Sequence, residues 1–244
     1  MASGLRRFLT NVVCGLIYNK DARKKMRVVL NSPMLEYIAF IRRDTGIRAP
    51  RIKAFIGYQA RSLILGVNNK WVYKFPLRRD NYRELAAREA RIVSALSHAT
   101  SVCVPPVELI EYKGHLIRKY KFVPGVTLRA APVELVMRHI DTLAAQVAQF
   151  LYDVAATDPD EIRDLKPSPD AAPGYMQGWF QGDICDNFMF DPKTMKLTAF
   201  IDWEDAAFMN FEHLMHREKR TPAREFMLAV EREYKKIWTS NHPE

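Results

Sequence analysis

Cysteine is scarce in this chain. Cys14, Cys103 and Cys185 are scattered over 244 positions with no metal-ligand spacing. So sparse and odd a count argues against a disulfide framework and points to a reducing compartment. The six histidines form no cluster, the nearest pair being His213 and His216, and no Ser/His/Asp or Cys/His arrangement stands out. No apolar run reaches the ~18–20 residues that a membrane-spanning helix needs. Leu5-Arg6-Arg7 followed by Phe8 to Tyr18 has the start of a signal peptide, but Thr10 and Asn11 break its apolar part and no small-x-small site follows. The segment is therefore read as retained and the protein as cytoplasmic. Internal repeats and low-complexity tracts are also lacking.

What is present is ample material for a core: 48% of the residues are apolar and 27% are charged. That suits one domain, or two small lobes packed as one. The net charge of +9 is uneven, because the first 53 residues hold twelve of the 37 Lys/Arg and only three of the 28 Asp/Glu. The remainder is balanced, so no nucleic-acid partner is expected. Leu5, Phe8, Leu9, Val12, Val13, Leu16 and Ile17 share one face of a helix, and Lys20, Arg23, Lys24, Lys25 and Arg27 follow. Two readings stand for residues 1–28: a helix packed on the body with a solvated basic end, or an amphipathic segment lying on an anionic membrane surface, which would place the protein at the inner face of a membrane.

Further along, residues 33–45 read as a helix capped by Asn31 or Ser32, ended by Pro50. Segments 51–57, 62–67 and 70–75 read as antiparallel strands, with a turn at Asn68-Asn69. A helix over about 81–97 precedes strands at 107–112 and 115–122, which turn at Lys113-Gly114. Pro124-Gly125 breaks the chain. A long helix over 132–155, a Pro- and Asp-rich loop over 157–173, a hairpin of 188–191 with 197–201, and C-terminal helices with Pro222 in a first turn complete the pattern. The order predicts an α+β chain in three parts: a helical extension over 1–50, a β-rich lobe with one helix over 51–123, and a mostly helical lobe over 124–244.

Four groups of residues carry chemistry. Gln181-Gly182-Asp183-Ile184-Cys185-Asp186-Asn187 and Phe200-Ile201-Asp202-Trp203-Glu204 place two carboxylates at strand ends with an amide near the first. Phosphoryl transfer needs such a set: one acid for the acceptor hydroxyl, and hard oxygen ligands for magnesium. Lys74 lies among apolar strand residues and needs an anionic partner or a ligand phosphate. Glu89 falls on the inward stripe of the following helix, whereas Glu84 groups with Arg88, Arg91 and Ala95 on the outer face. Gly57 to Ser62 joins the first two strands at a place suited to covering phosphates. Lys119-Tyr120-Lys121-Phe122-Val123-Pro124-Gly125 ends a strand at the break between lobes.

These groups resemble, in order, the aminoglycoside phosphotransferase family of the protein-kinase-like superfamily. There, HGDxxxxN precedes a strand ending in IDW or IDxE, a strand Lys pairs with a helix Glu (Arg88-Glu89-Ala90 here), and a hinge reads EYxPG. The resemblance spans roughly residues 51–210. It implies a kinase-like two-lobed fold and transfer of the γ-phosphate of ATP, with Mg2+, to a hydroxyl. It implies Asp183 as catalytic base, Asn187 and Asp202 as metal ligands, and Lys74 with Glu89 on the α- and β-phosphates. Gly57 and Ser62 would lie over the phosphates, and the backbone from Tyr120 to Phe122 would bind adenine. Two positions depart from the pattern. Gln181 stands where the family has His, as a hydrogen-bonding scaffold residue. Asn187 lies four residues after Asp183 rather than five, with Phe188 in the fifth place, so either the loop is one residue shorter or one metal ligand is lost. An aminoglycoside, as a polycation, needs an acidic acceptor pocket, which a balanced and short second lobe does not favour. A small-molecule or glycan hydroxyl ranks first as acceptor, ahead of a protein kinase acting on Ser/Thr/Tyr and a nucleotide-binding pseudokinase.

Overall fold

Alternation between residues 52 and 121 builds one antiparallel sheet. The structure, a computed structural model, describes residues 10, 12–14, 16–57, 61–77, 81–167, 176–218 and 223–242. Parts of the first helix, of the segment joining the first two strands and of the Pro/Asp-rich loop, and Pro222, lie outside them. The described residues of Met1–Ala86 and Glu108–Phe122 form one compact unit, and those of Ala87–Val107 and Val123–Glu244 a second.

In the first unit, β1 (Ile52–Ile56), β2 (Ser62–Val67), β3 (Trp71–Pro76), β4 (Glu108–Tyr112) and β5 (His115–Lys121) lie in the order β1-β2-β3-β5-β4. Asn68 and Asn69 turn β2 into β3 with φ of 54° and 53°, and Lys113 and Gly114 turn β4 into β5 with φ of 50° and 76°. Such left-handed pairs match the twist of antiparallel strands. Ahead of the sheet come α1 (Lys20–Asn31) and α2 (Met34–Thr45). The basic run is thus itself a helix. Its residues are good helix formers, and Asn19 caps it by accepting the N–H of Ala22 at 3.0 Å. The cap expected for α2 is corrected: Pro33 holds the N-cap position with no side-chain bond, while Ser32 Oγ donates backward to the Val29 carbonyl at 2.6 Å.

Tyr37, Phe40 and Ile41 of α2 pack on Leu63, Leu65, Val67, Tyr73, Phe75 and Ile117. The rings of Tyr37 and Phe75 stack at 4.0 Å, a geometry that contributes about 0.5–1.5 kcal/mol beyond area burial. Asp44 sits in the last turn of α2, where the helix dipole disfavours an acid. It is held there by the Tyr73 hydroxyl, which donates to it, and by Lys119 Nζ at 2.9 Å. One face of the sheet is therefore taken up by α2.

The helix α3 (Tyr82–Leu96) leads into the second unit, where the expected single helix over 132–155 is two, α4 (Val133–Arg138) and α5 (Ile140–Ala155). His139, at φ −117° and ψ 20°, breaks the helical path. β6 (Val126–Thr127), β8 (Phe188–Asp191) and β9 (Lys196–Phe200) form one small sheet, β7 (Gln177–Phe180) and β10 (Ala207–Asn210) another. α6 (Ile184–Asn187), α7 (Phe211–Glu218) and α8 (Ala223–Asn241) complete the unit. Phe150 of α5 stacks on Phe200 at 4.0 Å and Phe211 on Tyr234 of α8 at 3.8 Å. β7 is pressed onto the end of α5: a Cβ at Gly178 would lie 2.6 Å from the Ala155 Cα. No described helix is long and apolar enough to cross a membrane.

Candidate active site

The second unit gathers Asp183, Asn187, Asp202 and Glu89. Strand β7 is anchored by Trp179 and Phe180, both fully buried, so its exit is fixed. Gly182 then turns the chain with φ 89°, and Asp183 takes the N-cap position of α6. Gln181, 1% exposed, ties this turn to the end of β9. Its Oε1 accepts the Asp183 N–H at 2.8 Å, while its Nε2 donates to the carbonyls of Asp202 at 2.6 Å and Ile201 at 3.2 Å. Beside it the Ile201 N–H donates to the Asn187 carbonyl at 3.0 Å. Phe188 is fully buried and stacks on Phe226 at 5.3 Å. The fifth place after Asp183 is thus core, and Asn187, the half-buried last residue of α6, borders the turn.

Asp202 itself adopts a left-handed backbone, φ 58° and ψ 66°. For a residue other than glycine this costs on the order of 1–3 kcal/mol, and such strain concentrates at functional sites. The turn after it is pinned from α3. Glu89, fully buried as its place on the inward stripe predicted, accepts the Trp203 N–H on Oε1 at 3.1 Å. Glu89, Asp202 and Glu204 each offer a carboxylate oxygen, all within 4.8 Å of one another. Three hard donors so close together fit a divalent cation such as Mg2+.

Burial first, and then the charge of Asp186, push the Asp183 carboxyl above the usual carboxylate range. The Asp186 amide N–H and Arg129 oppose the shift. Arg129 Nε pairs with Asp186 at 2.7 Å. A raised carboxylate is a stronger base, nearer in pKa to neutral pH.

In the first unit the sheet face opposite α2 carries a row of directly paired residues: Phe55, Ile64, Lys74, Arg118 and Leu109. The next row is Lys53, Gly66, Val72 and Tyr120. Lys74 is 4% exposed; its own carbonyl accepts the Tyr82 hydroxyl at 2.9 Å. Phe122 follows β5, its N–H donating to the Lys70 carbonyl at 2.9 Å. Gly57 and Ser62 are brought together, the Gly57 N–H donating to the Ser62 carbonyl at 2.9 Å, so that amide serves the hairpin.

Two residues of this region escaped the sequence reading. Glu204 stood inside the quoted Asp202-Trp203-Glu204 run without being weighed as a ligand. Arg88, placed on the outer face of its helix, is half-buried and donates to the carbonyls of Glu204, at 3.2 Å, and Ala206. Its long side chain reaches past the face on which its Cβ sits.

No family model and no curated protein matches the chain. Solved structures do. The GDP complex of aminoglycoside 2'-phosphotransferase-IIIa is similar with a TM-score of 0.64 at 18% identity, over 84% of this chain and 83% of that one. The streptomycin–ATP ternary complex of APH(2")-IIa reaches 0.62 at 16% identity, over 82% and 83%. Macrolide 2'-phosphotransferase MphH from Brachybacterium faecium reaches 0.53 at 17%, over 81% and 83%. The chain therefore has a protein-kinase-like fold. Within that class it has the version found in the aminoglycoside and macrolide phosphotransferases.

Proposed function

We propose that the protein is an ATP- and Mg2+-dependent phosphotransferase acting on a hydroxyl of a small molecule or glycan. The observation that carries this reading is the Gln181 side chain, which bonds to the backbone of both Asp183 and Asp202 and so couples a proton acceptor to a cation-binding turn. Asp183 takes the proton of the acceptor hydroxyl as its oxygen bonds to the γ-phosphorus and the bond to the ADP oxygen breaks. Asp202 and Asn187 would hold Mg2+, with the Glu204 carboxylate in reach; the ion, when bound, neutralises phosphate oxygens. Lys74 and Glu89 are assigned to positioning the α- and β-phosphates. Gly57 and Ser62 are assigned to the cover over the phosphates. Gly66 has no side chain and Val72 a small one, in the row that ends at Tyr120. That row suits a flat base, with the backbone of Tyr120 to Phe122 as its polar edge.

A screen of labelled γ-phosphate transfer against sugars, lipid-linked glycans and proteins tests the reading. Transfer to a sugar or glycan supports it. Transfer to protein alone assigns a protein kinase. Nucleotide-dependent thermal stabilisation without transfer assigns a pseudokinase.

Anionic membrane association is proposed as part of the same reading. Leu16 and Tyr18 are 84% and 99% exposed, directly before the exposed cations Lys20, Lys24, Lys25 and Arg27 of α1. Apolar side chains beside a basic helix suit a lipid surface. Binding to phosphatidylserine vesicles that weakens with salt, and is lost when those four cations become Glu, is the expected result. Equal binding to neutral vesicles speaks against it.

A further inference from the structure

We infer that Arg88 is a positioning residue for the cation-holding turn: together with Glu89 it clamps residues 202–206 so that the Asp202 and Glu204 carboxylates meet at one ion. This rests on the reading of that turn as a Mg2+ site. Adjacent residues of α3 grip the two ends of one short loop. Glu89 accepts the N–H of Trp203 at 3.1 Å, immediately after the strained Asp202. Arg88 donates through Nη1 to the Glu204 carbonyl at 3.2 Å and through Nη2 to the Ala206 carbonyl. Between them the turn closes on itself, the Ala206 N–H donating to the Trp203 carbonyl at 3.1 Å.

The acceptors reveal the task. Asp205 lies near enough to act on Arg88 electrostatically, yet the guanidinium gives two of its donors to main-chain carbonyls and is half-buried in doing so. A charged group half-buried in this way is retained at a desolvation cost. What is gained is shape: a planar fork fixes two carbonyls at once, which a single ammonium cannot do. Main-chain carbonyls fixed at 204 and 206, with the N–H fixed at 203, leave the 202–204 backbone little freedom, and that backbone carries both ligands. Groups that orient metal ligands from the outer shell commonly change metal affinity 10- to 100-fold when removed, and Arg88 does so through the main chain that carries them.

The test is Mn2+ titration of the full chain, followed by electron paramagnetic resonance, with ADP affinity measured separately without metal. Arg88→Lys and Arg88→Met are expected to weaken Mn2+ binding by about 10-fold or more, with metal-free ADP affinity within twofold of wild type. Arg91→Gln is the control. Its guanidinium lies on the same helix but holds the Glu161 carbonyl and Asp164, and it should leave Mn2+ binding unchanged. If Arg88→Met fails to fold, Arg88→Lys carries the comparison. Folded Arg88 variants with wild-type Mn2+ affinity, or an equal loss in Arg91→Gln, overturn the proposal and leave the metal site standing. A wild-type chain that binds no Mn2+ overturns the metal reading and this inference with it.

Discussion

The side-chain amide of Gln181 donates to the main-chain carbonyl of Asp202 at 2.6 Å. Its oxygen receives the Asp183 N–H, so one buried side chain sets the spacing of two acids that are distant in sequence. In Gln181→Leu the carbonyls of 201 and 202 and the N–H of 183 lose a partner in a buried setting, which costs about 2–4 kcal/mol. The urea midpoint should fall accordingly, and phosphoryl transfer should drop roughly 100-fold because the acids drift apart. Gln181→His, with one donor and one acceptor, should recover most of both. Full transfer by Gln181→Leu would show that the spacing is set elsewhere.

Asp183 is held above the carboxylate range chiefly by burial. The folded value exceeds the unfolded one, so the stability this group contributes is complete below about pH 3.8 and is lost as pH rises through the folded value. At neutral pH the ionised side chain therefore weighs against the fold. Asp183→Asn should raise the melting temperature at pH 7–8 in the absence of nucleotide and change it little near pH 3. The same variant should lose transfer by about 100- to 10,000-fold. A lower melting temperature at pH 7 would contradict the burial argument. Undiminished transfer would remove Asp183 as the base.

Lys74, Glu89, Asp183 and Asp202 could be picked out of the sequence because each sits in a pattern with a period or a fixed spacing. Alternation put Lys74 opposite Tyr73 and Phe75, and those two rings are in the α2-covered core. The helical stripe put Glu89 inward, and it is buried. What escaped has no period. β6, β7 and β10 are two to four residues long, too short to alternate, and are defined by pairing with distant partners. The break at His139 follows neither Pro nor Gly. α1 was hidden because a run of cations reads as a solvated stretch until Asn19 is seen to cap it. The place of Asn187 depends on tertiary packing, since it is the burial of Phe188 that leaves Asn187 bordering the turn. Arg88 was misplaced because a helical projection locates Cβ atoms, not the end of a long side chain.

Gly178 tests the packing beneath the site without touching its chemistry. A Cβ there would meet Ala155 at 2.5–2.7 Å, two of the three nearest atoms belonging to the helix backbone. Backbone cannot swing aside as a flexible side chain can, so Gly178→Ala must push β7 away from α5. Overpacking of this kind costs about 1–3 kcal/mol, read as a lower denaturation midpoint. Because Gln181 follows β7 directly, transfer should weaken in parallel. Wild-type stability in Gly178→Ala would mean that β7 and α5 are less tightly apposed.

Lys74 tests the first unit's share of the chemistry. It is 4% exposed in the middle of a sheet row, between Ile64 and Arg118, on the face opposite α2. Lys74→Met keeps most of the stem and removes the ammonium, so the sheet should stay folded. A hydrogen bond to a charged group contributes about 1.5–3 kcal/mol, and each 1.4 kcal/mol is tenfold in affinity. ATP affinity measured calorimetrically should therefore fall about 10- to 100-fold. The exposed turn residue Lys70 provides the comparison, since Lys70→Met removes the same charge from the same hairpin without reaching that face. Adenosine, which lacks phosphates, should bind Lys74→Met and wild type alike. Equal loss for adenosine and ATP would mean that the substitution disturbs the base platform and that Lys74 does not act on the phosphates.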